Sequence, residues 1–283
     1  PKSIRKIDFI DNPGVRYGDG IAYVIDITTR RADNGYTLGT SLTQALTTRD
    51  GDYTVYGKWN TGKSELSLNY SFGYRDFKGI RTEETAHYHL NEGSIYTIQR
   101  NDLASRNRSL SNQMKLTYNL ADSSRYVFQA SLSGDFSHVP GDFSQKQIVD
   151  GAQMYTALEQ QQSQSSSPVL DLYYFQQFTP RQSLTLNAVG TYIGTQSSDS
   201  YDEGSPYRYN VDGRTYSLLS EAIYENRLKP FTLSAGLNYN QKYTNNEYTG
   251  DVSSVTPMHH NRVYLFSEIK GTWGKLRYSA GIG

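Results

Sequence analysis

Runs that alternate apolar and polar residues recur along most of the chain, and the joins between them are by turns short and long. The alternation is plainest at Leu66, Leu68, Tyr70, Phe72 and Tyr74, interleaved with Ser67, Asn69, Ser71 and Gly73. It returns at Tyr126, Phe128, Ala130 and Leu132, and again at Phe231, Leu233, Ala235, Leu237 and Tyr239. A period of two sorts side chains onto the two faces of a β-strand. The pattern predicts two strands within residues 4–31, Ile4 to Ile10 and Ile21 to Thr28, parted by Asp11-Asn12-Pro13-Gly14. From Tyr36 onward it predicts eleven more, at about 35–48, 51–60, 63–75, 105–119, 124–137, 168–178, 182–195, 214–228, 231–245, 259–270 and 274–283.

Short joins are expected at Asp50-Gly51, Thr61-Gly62, Ala121-Asp122-Ser123, Thr179-Pro180, Lys229-Pro230 and Gly271-Thr272, and long polar ones at 76–104, 138–167, 196–209 and 246–258. Within 76–104 a projecting hairpin should turn at Asn91-Glu92-Gly93, and the Gln/Ser run from Glu159 to Ser167 should be a mobile loop. Short turns at one end and long loops at the other are the mark of a transmembrane antiparallel β-barrel, with the connection near Asp50 as the one short exception. A soluble sheet shares the same periodicity. Strands of 12 or more residues with Asn, Ser, Thr and Gln on the polar face favour the barrel. So do aromatic residues at run ends, among them Tyr53, Trp59, Tyr74, Tyr118, Tyr126, Tyr192, Tyr243 and Trp273. Eleven is odd, whereas single-chain bacterial barrels close with an even count, and the last run stops in mid-alternation. The chain is therefore expected to be the first part of a larger barrel.

Composition agrees with strands: 25 Tyr, 10 Phe and 24 Gly stand beside 3 Met and 8 Pro. No apolar stretch is long enough for a membrane-spanning helix, which leaves strand crossing open. Lys plus Arg equals Asp plus Glu at 28 each, so no basic field marks a nucleic-acid partner. With 0 Cys, thiolate chemistry, disulfides and Cys-rich zinc sites are absent. No leader stands at Pro1-Lys2-Ser3; if the protein is exported, its leader and an upstream domain are expected to lie outside this sequence.

No catalytic motif rises above chance, and the protein is expected not to be an enzyme. His87 and His89 share a strand face near Glu83 and Glu84, and His259-His260 adjoin another strand; ordinary polar histidines account for them better than a metal site does. Thr61-Gly62-Lys63-Ser64 lacks the glycine-rich lead-in of a phosphate loop. No metal and no cofactor is expected.

The opening segment carries a resemblance. Ile4-Arg5-Lys6-Ile7-Asp8-Phe9-Ile10-Asp11-Asn12-Pro13-Gly14-Val15-Arg16-Tyr17, followed by Val24-Ile25-Asp26-Ile27-Thr28-Thr29-Arg30, resembles the end of the plug domain in TonB-dependent outer-membrane receptors, in the form found in their Bacteroidetes-type branch. Gly14 stands where Ser is common and Asp26 where Asn is common. The resemblance implies that residues 1–34 end a plug domain and that 35–283 are the first eleven or so strands of a roughly 22-stranded plugged barrel in the bacterial outer membrane. It implies energy-coupled import of a siderophore, glycan or peptide, with a TonB-type protein as partner through an upstream segment; whether a surface lipoprotein is a further partner is left open by the sequence. A surface scaffold without transport and a passive porin are the alternatives.

Asn12, Pro13, Gly14, Arg16, Tyr17, Gly18 and Asp26 are the candidate plug-junction residues. Pro and Gly there end a strand and turn the backbone, and Arg16, Arg30 and Arg31 either face acidic groups on the inner wall or stand as solvated periplasmic charge. Tyr96, Phe143, Tyr155, Tyr201, Tyr207, Tyr209 and Tyr248 are the loop aromatics able to stack on a ligand ring.

Overall fold

A computed structural model of the protein describes residues 4–11, 23–29, 34–122 and 125–283. Strands β1 (Ile4–Asp11) and β2 (Tyr23–Thr29) form an antiparallel pair of their own, as the alternation predicts. The other strands make one large antiparallel sheet: β3 (Gly35–Gln44), β4 (Arg49–Thr61), β5 (Ser64–Lys78), β6 (Glu83–His89), β7 (Ile95–Asp122), β8 (Tyr126–Asp150), β9 (Gln153–Thr179), β10 (Gln182–Asp202), β11 (Tyr207–Arg227), β12 (Phe231–Gly250), β13 (Ser254–Trp273) and β14 (Leu276–Ile282). Eleven of them neighbour one another in chain order and β6 pairs with β7 as the expected hairpin, so the predicted strand count holds among the described residues.

Three expectations are corrected. The segments read as long loops at 138–167, 196–209 and 246–258 are strand almost throughout: β8 and β9 run as one ribbon to a turn at Gly151, which has a φ of 60°. The Gln/Ser run belongs to β9, where Gln160 pairs with Ser200 on one side and with Phe143 on the other. Its polar side chains need no apolar partner, because the backbone finds hydrogen bonds on both edges. Asp50-Gly51 lies within β4, after the turn at 45–48, and Gly271-Thr272 lies within β13, before a turn at Gly274 with a φ of 61°.

The sheet is one layer thick. Among the described residues the buried apolar side chains are Ile148, Ala157 and Phe266, so no second layer roofs the apolar face. That face carries continuous cross-strand rows. One runs Leu38, Gly57, Leu68, Leu116, Leu132, Leu170, Gly190 and Leu218. Another runs Leu120, Phe128, Tyr174, Leu186, Ala222, Leu237 and Leu265. On the opposite face Asn60, Glu65, Asn119, Gln129, Tyr173, Asn187, Glu221 and Asn238 form a polar row.

The apolar stretch does not follow these rows; it crosses them at a slant. In β5 it runs from Leu66, nearest the short turn, to Tyr74, and in β12 from Phe231, nearest the short turn, to Tyr239. The row that begins at Leu66 passes through Tyr118, Ala130, Leu172, Ala188 and Ser220 and ends at Tyr239. Six strand-to-strand steps thus move the stretch by its own length. Eight residues along a strand are about 26 Å and six steps across are about 29 Å, which sets the slant at about 42°. Strands in a transmembrane barrel tilt by roughly 35–45°.

Aromatic residues edge this slanted band. At its far edge Tyr192 lies 5.0 Å from Tyr216, Tyr216 lies 6.3 Å from Tyr243 and Tyr243 lies 4.5 Å from His259, ring centre to ring centre. Tyr53, Phe72 and Tyr74 make a second stack with centres 6.2–6.3 Å apart. Trp59, Tyr126 and Trp273 lie toward the short turns, whereas Tyr118 falls inside the band.

Candidate functional site

Beyond the far edge of the band, β6 to β11 continue as ribbons, and their polar face gathers tyrosines, carboxylates and one arginine. Strand periodicity does this. Glu84 lies opposite Arg100, Arg100 opposite Ile148, and Ile148 opposite Tyr155, so the four share one row on one face. Glu159 opposite Tyr201, and Asp199 opposite Tyr209, extend the same face across β9, β10 and β11. Ile148 is 0% and Ala157 1% exposed, and they make an apolar floor among these polar groups.

Glu203 ties two of the tyrosines together: the Tyr155 hydroxyl donates to its Oε1 at 2.9 Å and the Tyr201 hydroxyl to its Oε2 at 2.5 Å. Tyr96 donates to Asp150 and packs 6.1 Å from Tyr88. Arg100 reaches Glu84 at 3.3 Å. Tyr207 and Tyr209 pack with ring centres 5.9 Å apart.

The carboxylates hold the phenols protonated. Tyr96 is pushed up to about 12, first by its hydrogen bond to Asp150 and then by burial. Tyr201 is pushed up to about 12 by burial first and then by the bond to Glu203, while Glu203 raises Tyr155 and the charge of Asp199 raises Tyr209. A phenoxide beside a carboxylate would place two anions in contact, so the neutral form is favoured. The hydroxyls stay engaged with the acids while the ring faces remain available for stacking.

Next to this array, where Glu159 is shared, lies a cleft of about 230 Å³ bordered by Ile80, Asp102, Asp142, Phe143, Ser144 and Gln161 among others. Pairing loses register there, between Asp102 and Ala104, between Arg106 and Leu110, and between Val139 and Asp142. Side chains close the gap: Arg108 donates from Nη2 to the Gly141 carbonyl at 2.7 Å, and the Ser144 hydroxyl donates to Asp102 at 3.1 Å. The combination offers ring faces, charged acceptors and one guanidinium, the set of contacts that recognises a hydroxyl-rich or ring-bearing ligand.

Of the aromatics singled out from sequence, Tyr96, Tyr155, Tyr201, Tyr207 and Tyr209 lie on this face. Tyr248 shares it, opposite Val211, one row lower and outside the ring contacts above. Phe143 is separated from them: the irregularity near Gly141 turns it to the opposite face, where it borders the cleft. Asp150, Glu203, Glu84, Arg100 and Tyr88 were not anticipated as partners of the tyrosines: Glu84, Tyr88 and Arg100 sit on the hairpin that the sequence predicts, Asp150 ends β8, and Glu203 lies in the turn that follows β10. Asn12, Pro13, Gly14, Arg16, Tyr17 and Gly18 lie outside the described residues, as do Arg30 and Arg31. Asp26 lies in β2, opposite Asp8 in register. His87 takes Thr97 as its neighbour at 2.9 Å, and among the described residues no group of three or more His, Asp or Glu side chains is placed to hold a metal ion.

No protein-family model matches the chain, and no curated protein matches it. Solved structures overlap with it in shape. The ferric yersiniabactin uptake receptor FyuA from Yersinia pestis does so with a TM-score of 0.47 at 10% identity, over 95% of this chain and 49% of that one. The ferric citrate transporter FecA in its unliganded form does so with a TM-score of 0.34 at 10% identity, over 91% of this chain and 45% of that one. The chain thus spans about half the length of either structure. At these scores neither likeness bears on ligand or mechanism.

Proposed function

We propose that the chain is part of the wall of a plugged outer-membrane β-barrel that imports a ligand with energy supplied through a TonB-type partner. The observation that carries the membrane part is the slanted apolar band on a single-layered sheet. A sheet roofed by protein gains nothing from a band that drifts across its hydrogen-bond rows, whereas strands tilted by about 40° in a bilayer need that drift to keep apolar residues at constant depth. The import part is supported by the resemblance of residues 4–30 to the end of a plug domain. Ligand capture is assigned to the tyrosine and carboxylate array on the outer ribbons, and the ligand to a siderophore, glycan or peptide. The role is one of binding and passage, without chemistry on the ligand.

Uptake by cells that lack the gene tests this. Loss of uptake of one ligand from a panel of siderophores, glycans and peptides is expected, together with loss of the same uptake in parent cells when the proton gradient is collapsed. Unchanged uptake across the panel, with high steady conductance of the purified protein in planar bilayers, would replace import by passive diffusion.

A further inference from the structure

The band fixes heights on the sheet's outward face, and one sector just above it is charged unlike the rest. Taking Tyr70 as the mid-point of the band in β5, and correcting for the 42° slant, Arg49, Asp76, Arg108, Lys78 and Arg106 lie on the apolar side of β4, β5 and β7 at heights of about 12–23 Å. The hydrocarbon ends at about 15 Å from the bilayer centre and the polar layer at about 20–22 Å. Arg108 and Lys78 therefore fall within the headgroup layer, Asp76 at its inner border, Arg106 at its outer limit, and Arg49 starts about 3 Å inside the hydrocarbon edge, from where its long side chain reaches outward. Four cations meet one carboxylate there, and Asp76 is already engaged by Arg106 through two bonds of 2.8 Å. Arg49 stands 3.6 Å from the same carboxylate with a side chain 74% exposed, and Lys78 is exposed without an ion pair among the described residues.

At matching heights the outward positions of β8 to β10 are neutral or aromatic, such as Phe136, Ser166, Gln164 and Tyr192. On β11 Arg214 is paired with Asp212 at 3.0 Å. The positive charge is thus confined to the β4–β7 sector. A side chain pointing toward lipid at this level meets phosphate, and a cation near such a surface gains about as much as a five-fold preference for anionic lipid.

We propose that the outward β4–β7 sector is a binding site for the phosphate of an anionic lipid headgroup, gripped by Arg49 and Lys78, while the Arg106–Asp76 pair and the bonds from Arg108 to the Gly141 carbonyl hold the site in shape. The inference depends on the membrane reading above and adds a lipid ligand to it, distinct from any imported one.

The test compares the protein in its full-length form with the Arg49→Gln, Lys78→Gln double variant. Both are folded into vesicles of phosphatidylcholine alone, and of phosphatidylcholine with one-fifth phosphatidylglycerol carrying a fluorescent acyl chain, where energy transfer from tryptophan reports lipid enrichment around the protein. The wild type should enrich the anionic lipid, and the variant should lose that preference on the order of 25-fold, about five-fold per cation, while inserting equally well into phosphatidylcholine. Equal enrichment by the two proteins would overturn the site. Displacement of the lipid by millimolar inorganic phosphate would likewise overturn it, by showing a free-anion site instead. Failure of both proteins to insert into phosphatidylcholine would instead defeat the membrane reading itself.

Discussion

A single arginine placed at two heights on β9 measures whether lipid or protein covers the apolar face. Leu172 lies on the row through Leu66 and Tyr239, midway across the slanted band, and Ser166 lies on the same face further from the short turn. Six residues at ~3.3 Å each separate them by about 20 Å along the strand, which is about 15 Å in height at a tilt near 42°. That is half the thickness of the hydrocarbon core. Leu172→Arg should therefore cost about 2–4 kcal/mol, and Ser166→Arg about 0–1 kcal/mol. The gap of about 2–3 kcal/mol is a factor of roughly 30–150 in the folding equilibrium. Urea titration of folding into phosphatidylcholine vesicles, read by tryptophan fluorescence, gives both numbers. Equal costs, or a larger one at Ser166, would mean that local packing and not depth decides, and the lipid-facing reading would fall.

Four further outcomes follow from the same geometry. Because the chain has 0 Cys, single cysteines carrying a fluorophore can be placed cleanly: labels at Leu116, Leu132 and Leu170 should be quenched by brominated lipid and labels at Thr117, Ser131 and Asp171 should not, and quenching of both sets would contradict the two-faced sheet. Arg106 donates two hydrogen bonds of 2.8 Å to Asp76, so Asp76→Asn should lower the urea midpoint of unfolding, and an unchanged midpoint would show that the pair contributes nothing. Tyr96 and Tyr201 are raised from 10.0 to about 12, so their contribution is present below pH 10 and lost as pH climbs toward 12; phenolate absorbance of Tyr96→Phe and Tyr201→Phe should be missing the late-titrating component seen in the wild type. A Cβ at Gly190 meets nothing within 4 Å, whereas one at Gly236 collides with the Phe266 ring; Gly190→Ala should be tolerated and Gly236→Ala should cost about 1–3 kcal/mol, and equal melting temperatures would contradict this packing.

The strands of the apolar band are legible in the sequence because Leu66 to Tyr74 and Phe231 to Tyr239 alternate without a break, and a period of two has one structural meaning when it persists this long. Gln160 to Ser167 was not legible. Glutamine and serine carry no apolar signal, so composition reads them as loop, yet a strand with a partner on each edge is held by its backbone whatever its side chains are. The candidate site divides the same way. The tyrosines attract notice as residues, but Glu203 and Asp150 matter only once β8, β9 and β10 are aligned, and alignment is a property of pairing between distant segments. Phe143 shows the converse: one extra residue near Gly141 reverses the face of everything beyond it, and no local pattern announces the change.

The breaks in pairing on β7 and β8 have a mechanical consequence. They fall between the part of each ribbon that carries the tyrosines and the part that carries the apolar band, at Arg106 to Leu110 and at Val139 to Asp142. A ladder with every rung in place resists bending, and one missing rung concentrates the strain. A load applied at the tips is therefore taken up at this ankle, where the Arg108 and Asp142 side chains act as tendons, and the foot below it holds still while the tip sways.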